Sequence, residues 1–169
     1  MVSGFSTSSD SLPTGRWQLG AVWVDRTNAT ATPAGHTWFY ALTGVDEAGV
    51  NVAEVTAFQI DTASASDGTF DDGRVNQRVV VTNSGIALGG GYGYAVAANY
   101  IYLFGGGGTP STGGKSGKIC NGATGESTCL PNPPQVKNWN AGISTVLGRF
   151  LHATASESGF VFLIGGQTD

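Results

Sequence analysis

Along the chain, short apolar or aromatic runs alternate with longer polar stretches rich in Gly, Ser and Thr. The run "GFVFLIGG" (159–166) has a close relative in "NYIYLFGG" (99–106) and a weaker one in "HTWFYALTG" (36–44). Each is an aromatic or β-branched run that closes on glycine. The closing pairs are Thr43-Gly44, Gly105-Gly106 and Gly165-Gly166, at steps of 62 and 60 residues. A fixed period of this kind predicts a repeat architecture. The segments upstream repeat as well: "GRWQLGAVWVD", "GGYGYAVAAN" and "GRFLHATASES". Each unit is therefore expected to open with a β-hairpin, strand–turn–strand, that ends in glycine. Glycine suits a place where the backbone turns sharply or packs closely.

A longer polar loop follows each closing pair, and then a third and a fourth strand. In the first unit these are "NVAEVTAFQID" (51–61), whose apolar positions Val55, Ala57, Phe58 and Ile60 suggest a strand buried on one or both faces, and a strand within "GRVNQRVVVTNSG" (73–85). In the second unit they are "KSGKIC" (115–120) and "QVKNWNAGIS" (135–144), with Trp139 as a large packing residue. The opening segment matches the stretch that leads into "GR" at the third unit. The pattern divides the chain into a fourth strand of a preceding unit (1–15), a whole unit (16–88), a second whole unit (89–148) and the first hairpin of another (149–169). That gives about eleven strands, and no helical periodicity appears.

Composition supports an all-β reading. The chain holds 27 glycines in 169 residues, a load that helices tolerate poorly because each interior Gly costs about 1 kcal/mol relative to Ala. Charged residues are only 12% of the chain, about half the ~25% of ordinary soluble domains, and the polar surface is mainly hydroxyl and amide. Net charge is −4 with no basic run, which argues against nucleic acid as a partner. No apolar stretch is long enough for a membrane-spanning helix, and the first residues lack the pattern of a signal peptide. The expectation is a protein exported by another route or a piece of a longer chain.

Four-stranded units with an Arg-containing first segment and a Gly-Gly end to the second strand resemble the kelch repeat of β-propellers. The residues that carry the resemblance are "GRWQLGAVWV…HTWFYALTG", "YGYAVAANYIYLFGG" and "GRFLHA…GFVFLIGG", with Arg16, Gly44, Gly105, Gly106, Arg149, Gly165 and Gly166 as the repeat-defining positions. The resemblance implies an all-β fold of kelch-like blades in an incomplete ring, about two whole and two partial. There are departures. The unit of about 61 residues exceeds the ~50 of kelch repeats. Thr43 stands in a glycine position, and Gly89 or Gly90 stands where the other units have Arg16 and Arg149. A propeller closes with about 4–8 blades, so the missing strands must come from a longer parent chain or from other chains.

Candidate chemistry is sparse. Cys120 and Cys129 share one polar loop, and a local disulfide is the expectation, with an oxidising compartment as its consequence. Asp61, Asp67, Asp71 and Asp72 lie in "DTASASDGTFDDG", a turn-rich loop that offers oxygen ligands for calcium but lacks the spacing of an EF-hand. A solvated loop with Asp-Gly turns is the simpler reading. "GGGGTPSTGGKSG" (105–117) is read as a flexible loop, because the phosphate-loop spacing fails at Thr109 and no helix follows. His152, after Arg149, is read as a structural residue. No Ser/His/Asp or Cys/His set is visible, so no cofactor and no enzymatic activity is expected. Most of the aromatics are expected to pack between blades, a few being left to stack on sugars.

The expected role is binding or scaffolding outside the cell, in the periplasm or on a cell or particle surface, with a protein or glycan partner engaged through blade loops. Two alternatives stand beside it. One is a self-assembling structural subunit joined through open blade ends; the other is a fragment of a propeller enzyme of the galactose-oxidase or sialidase kind.

Overall fold

The computed structural model of the chain describes residues 15–25, 37–52, 54–60, 77–82, 90–106, 110–119 and 136–168. Among these residues ten strands form three antiparallel sheets, and none of the described residues is helical. Sheet one contains β1 (Gly20–Asp25), β2 (Thr37–Leu42), β3 (Glu54–Ile60) and β4 (Gln77–Thr82), side by side in chain order. Sheet two repeats that order with β5 (Gly93–Ala97), β6 (Tyr100–Phe104), β7 (Ser111–Ile119) and β8 (Val136–Arg149). Sheet three is the hairpin of β9 (Ala153–Glu157) and β10 (Phe160–Ile164). The first strands lie next to one another, with β5 against β1 on one side and against β9 on the other.

The expected hairpins form where the sequence places them. Ala97 pairs with Tyr100 across Ala98-Asn99, whose φ angles are 48° and 64°. Glu157 pairs with Phe160 across Ser158-Gly159, at 49° and 82°. Two positive φ angles in a two-residue loop are the turn whose twist matches that of the flanking strands.

Residues paired directly across neighbouring strands point to the same face. Val22 stands opposite Tyr40, Val24 opposite Trp38, Leu42 opposite Val55 and Tyr40 opposite Ala57. These residues form one buried face of sheet one. Ile101, Leu103, Ile119 and Val136 of sheet two close over it, and all four are fully buried. This is the main core, and it lies between two sheets rather than within one. Tyr94, Val96 and Trp139 pack at its margin. At about 1.5–3 kcal/mol for each large apolar side chain withdrawn from water, the contact between sheets one and two contributes substantially to stability.

Two expectations about the second unit need correcting. The segment read as a flexible glycine-rich loop up to Gly117 is in strand from Ser111, and β7 therefore starts four residues ahead of Lys115. It is held by pairing on both sides, to β6 and to β8. Its glycines fit because the space beside them is taken: a Cβ on Gly114 would run into Ile143 and the Leu103 carbonyl, and one on Gly117 into Trp139 and Val136. β8 is likewise longer than expected, and register shifts along β7 and β8 let these uneven strands stay paired. The strand expected within 1–15 falls almost wholly outside the described residues, which begin at Gly15.

Candidate functional site along the inner strands

The repeat-defining residues occupy equivalent places. Trp17 exchanges backbone hydrogen bonds with Val45, and Phe150 does the same with Gln167. Each bridge ties the segment ahead of the first strand to the residue just after the closing pair. The closing pairs share one conformation: φ is 51° and 114° at Thr43-Gly44, 64° and 73° at Gly105-Gly106, and 67° and 90° at Gly165-Gly166. Thr43 therefore departs in residue type and not in geometry. A β-branched residue in this left-handed region is strained. Thr43 is fully buried, and its hydroxyl shares a 2.8 Å hydrogen bond with the phenol of Tyr94. The arginines also act locally. Arg16 Nη2 donates to Thr56 Oγ1 at 2.8 Å, and Arg149 Nη1 donates to the carbonyl of Gly165, within its own closing pair.

The junctions between sheets are built on the first residue of each first strand. Gly20 has no room for a Cβ, because the ring of Tyr94 fills that place. Gly93, its counterpart in β5, is occupied in the same way by His152 and Thr154 of the next unit. Thr154 Oγ1 also donates to the carbonyl of Tyr94, so a hydroxyl of β9 caps an edge group of β5. Tyr92 and Tyr94 meet edge to face at 6.2 Å, and burial pushes both phenols up to about 12. Both are protonated at neutral pH. His152 is 7% exposed, and neither ring nitrogen has a hydrogen-bond partner. Burial, aided by the nearby Arg149 charge, holds its pKa below 6.5 and the imidazole neutral.

A cleft of about 450 Å³ runs across the three first strands. Its walls are Ala21–Val24 of β1, Tyr94–Val96 and Asn99 of the second unit, and Thr154–Ser156 of β9. None of these lining side chains is ionised at neutral pH. The lining takes in Trp23, which is 67% exposed, together with Asn99, Thr154 and Ser156. An aromatic plate beside neutral donors and acceptors suits an uncharged, hydroxyl-rich ligand surface better than an anion or a metal. A smaller hollow of about 180 Å³ lies among Tyr92, Ser111, Gly114, Lys115 and Ala141. Lys115 sits in the middle of β7, so no helix dipole or phosphate cradle accompanies it.

Several expected site residues lie outside the described residues: Asp61, Asp67, Asp71 and Asp72, and both Cys120 and Cys129. Among the described residues no group of three His, Cys, Asp or Glu side chains is placed to hold a metal ion. Among the described residues no helix is long and apolar enough to cross a membrane. The aromatics expected to pack between sheets differ in cover. Trp38 and Tyr40 are buried and Trp17, Trp23, Phe160 and Phe162 are all more than half exposed, while Tyr94, Tyr100, Tyr102 and Phe150 lie between these two groups. The Thr43–Tyr94 bond and the Gly20 and Gly93 slots were not visible in the sequence, although aligning the three units at their first strands picks out the slot positions. Comparison with protein-family models gives no match, and no curated protein aligns significantly with the chain.

Proposed function

We propose that the chain is a set of kelch-like propeller blades acting as a binding module, with the inner-strand cleft as its recognition site. The observation that supports this most directly is the stacking of three sheets through their first strands, β1, β5 and β9, with the cleft running across them. Successive propeller blades are related in this way, and their loops and inner strands form rigid recognition surfaces. The cleft's uncharged lining, with Trp23 as a plate and Asn99 and Ser156 beside it, favours a neutral glycan or a polar uncharged protein segment. The low charge and hydroxyl-rich composition fit work outside the cell, in the periplasm or on a particle surface. The ring is completed by strands beyond those of this chain.

Titration with a panel of neutral oligosaccharides, followed by tryptophan fluorescence and calorimetry, tests the reading. Binding that Trp23→Ala weakens at least tenfold, while thermal unfolding stays unchanged, supports the site. Binding indifferent to Trp23 and Asn99 places recognition elsewhere, and an absence of any binder across glycans and extended peptides overturns the module reading.

A further inference from the structure

The face that sheet two turns toward sheet one holds a hollow of its own, which shares no lining residue with the cleft. Side chains paired directly across strands point to the same face. Tyr94, Leu103, Lys115 and Ala141 make one such row across β5, β6, β7 and β8, and Leu103 in that row is fully buried in the core. Two residues before Tyr94 stands Tyr92, whose ring meets that of Tyr94 edge to face. Its row continues through Gly105 and Gly113, with the Gly105 N–H donating to the Gly113 carbonyl at 2.8 Å. Beyond Tyr92 this row has no side chains. A Cβ on Gly113 would touch only the Ser111 hydroxyl, at an ordinary 3.4 Å. The result is a hollow of about 180 Å³ walled by Tyr92, Ser111, Lys115 and Ala141. At about 30 Å³ for each water it has room for about six small groups.

The polar side chains around the hollow are donors. Lys115 is part-buried and has no ion pair among the described residues. Tyr92 is buried, and its phenol has no hydrogen-bond partner among the described residues. Burial also keeps that phenol protonated, so its O–H is free to donate. Ser111 Oγ already accepts the Gly113 N–H at 3.1 Å, which leaves its own O–H to donate. No carboxylate lines the hollow. Donors without acceptors select an anion, and a single ammonium matches a single negative charge. Lys115 sits in mid-strand, without the helix N-terminus that favours phosphate. The Tyr92 ring and Ala141 give apolar walls for a short hydrocarbon tail.

We propose that this hollow binds the carboxylate of a small aliphatic monocarboxylic acid. Lys115 is the counter-ion, and Tyr92 and Ser111 donate to the carboxylate oxygens. The site is built within sheet two and does not depend on what the cleft binds.

Titration of the full chain with sodium propionate at constant ionic strength, followed by amide shifts in NMR, tests the site. Shifts are expected at Gly105, Gly113 and Lys115, with a dissociation constant on the order of 1 mM for so small a ligand. Propionamide, which has the same shape without the charge, and inorganic phosphate are each expected to bind at least tenfold more weakly. Lys115→Met is expected to weaken propionate at least tenfold with unchanged thermal unfolding, and Tyr92→Phe several-fold. Gly113→Val, which puts a side chain beside Ser111 and leaves all three donors in place, is expected to abolish binding, and its amide spectrum reports whether it is folded. Propionate that shifts none of these amides overturns the proposal. So does propionamide or phosphate binding as tightly as propionate, or binding indifferent to Lys115→Met.

Discussion

The junction at Gly20 gives the sharpest test of how the sheets are held together. In Gly20→Ala the new methyl group would lie under 3.0 Å from the ring of Tyr94, a separation real Cβ atoms essentially never show. The ring has little freedom to retreat. Its hydroxyl is held by Thr43 at 2.8 Å, and its edge packs on Tyr92 at 6.2 Å. If the ring stays, overpacking costs about 1–3 kcal/mol. If it swings away, the fully buried hydroxyl of Thr43 loses its partner, which costs about 1–3 kcal/mol. Either route predicts that one methyl group destabilises the fold by about 2 kcal/mol, although a Gly-to-Ala change in a strand is ordinarily neutral or helpful.

A double-mutant cycle isolates the cause. Tyr94→Ala alone is expected to cost about 2–3 kcal/mol, at the low end for aromatic truncations because the residue is only part-buried. In that background the methyl group at position 20 meets no ring, so the double variant should be no less stable than Tyr94→Ala. The coupling energy is then about 2 kcal/mol, of opposite sign to the single costs. Urea unfolding followed by tryptophan fluorescence measures all four proteins. Gly113→Ala serves as the control, because its nearest neighbour would be at an ordinary 3.4 Å, and it should shift stability by less than about 0.5 kcal/mol. Additive costs for Gly20→Ala and Tyr94→Ala would refute the slot.

Two further outcomes follow from local geometry. Ala98 holds a φ of 48° in an exposed turn, so Ala98→Asn, better suited to the left-handed region, should raise stability by about 0.5–1 kcal/mol in a thermal melt. His152 has a folded-state pKa held below 6.5, so as pH falls the unfolded chain takes up the proton first. Its contribution is complete above about pH 6.5 and is lost as pH falls below that toward the folded pKa. His152→Leu, which restores the residue type of Leu19 in the first unit, should flatten the unfolding free energy between pH 6.5 and 5. An unchanged slope would mean that the imidazole is not held neutral.

The hairpins and the closing pairs were legible because they depend on neighbours in sequence. A two-residue turn or a left-handed pair leaves its mark in Ser158-Gly159 or Gly165-Gly166 itself. Thr43 shows the limit of reading residue type: the conformation is the same as in the other units, and a bond to Tyr94 of another sheet accompanies the strained residue. β7 was misread over Ser111–Gly114 for a related reason. Its glycines and hydroxyls show no alternation of apolar and polar positions, because its place between β6 and β8 is fixed by backbone pairing and by neighbours that occupy the space of missing side chains. The cleft was not legible, since β1, β5 and β9 meet across three sheets and the sequence does not mark which aromatics stay exposed. The aspartate loop and the cysteine pair fall outside the described residues, and the structure adds nothing to them.

If junctions between sheets carry most of the stability, local stability should fall along the chain with the extent of cover. In stacked repeats each unit is held mainly by its nearest neighbours. Sheet two is covered by sheet one over fully buried Ile101, Leu103 and Ile119. Sheet three has two strands, and on its outer face Phe160, Phe162 and Ile164 are all more than half exposed. Its attachment rests on His152, Phe150 and Thr154 meeting the glycines and the edge of sheet two. Hydrogen exchange on dilute protein should therefore find the paired amides of β9 and β10 opening well below the global unfolding free energy, while those of β6 exchange only through global unfolding. Equal protection of β6 and β10 in the monomer would show that stability resides within the hairpins and not in the contacts between sheets.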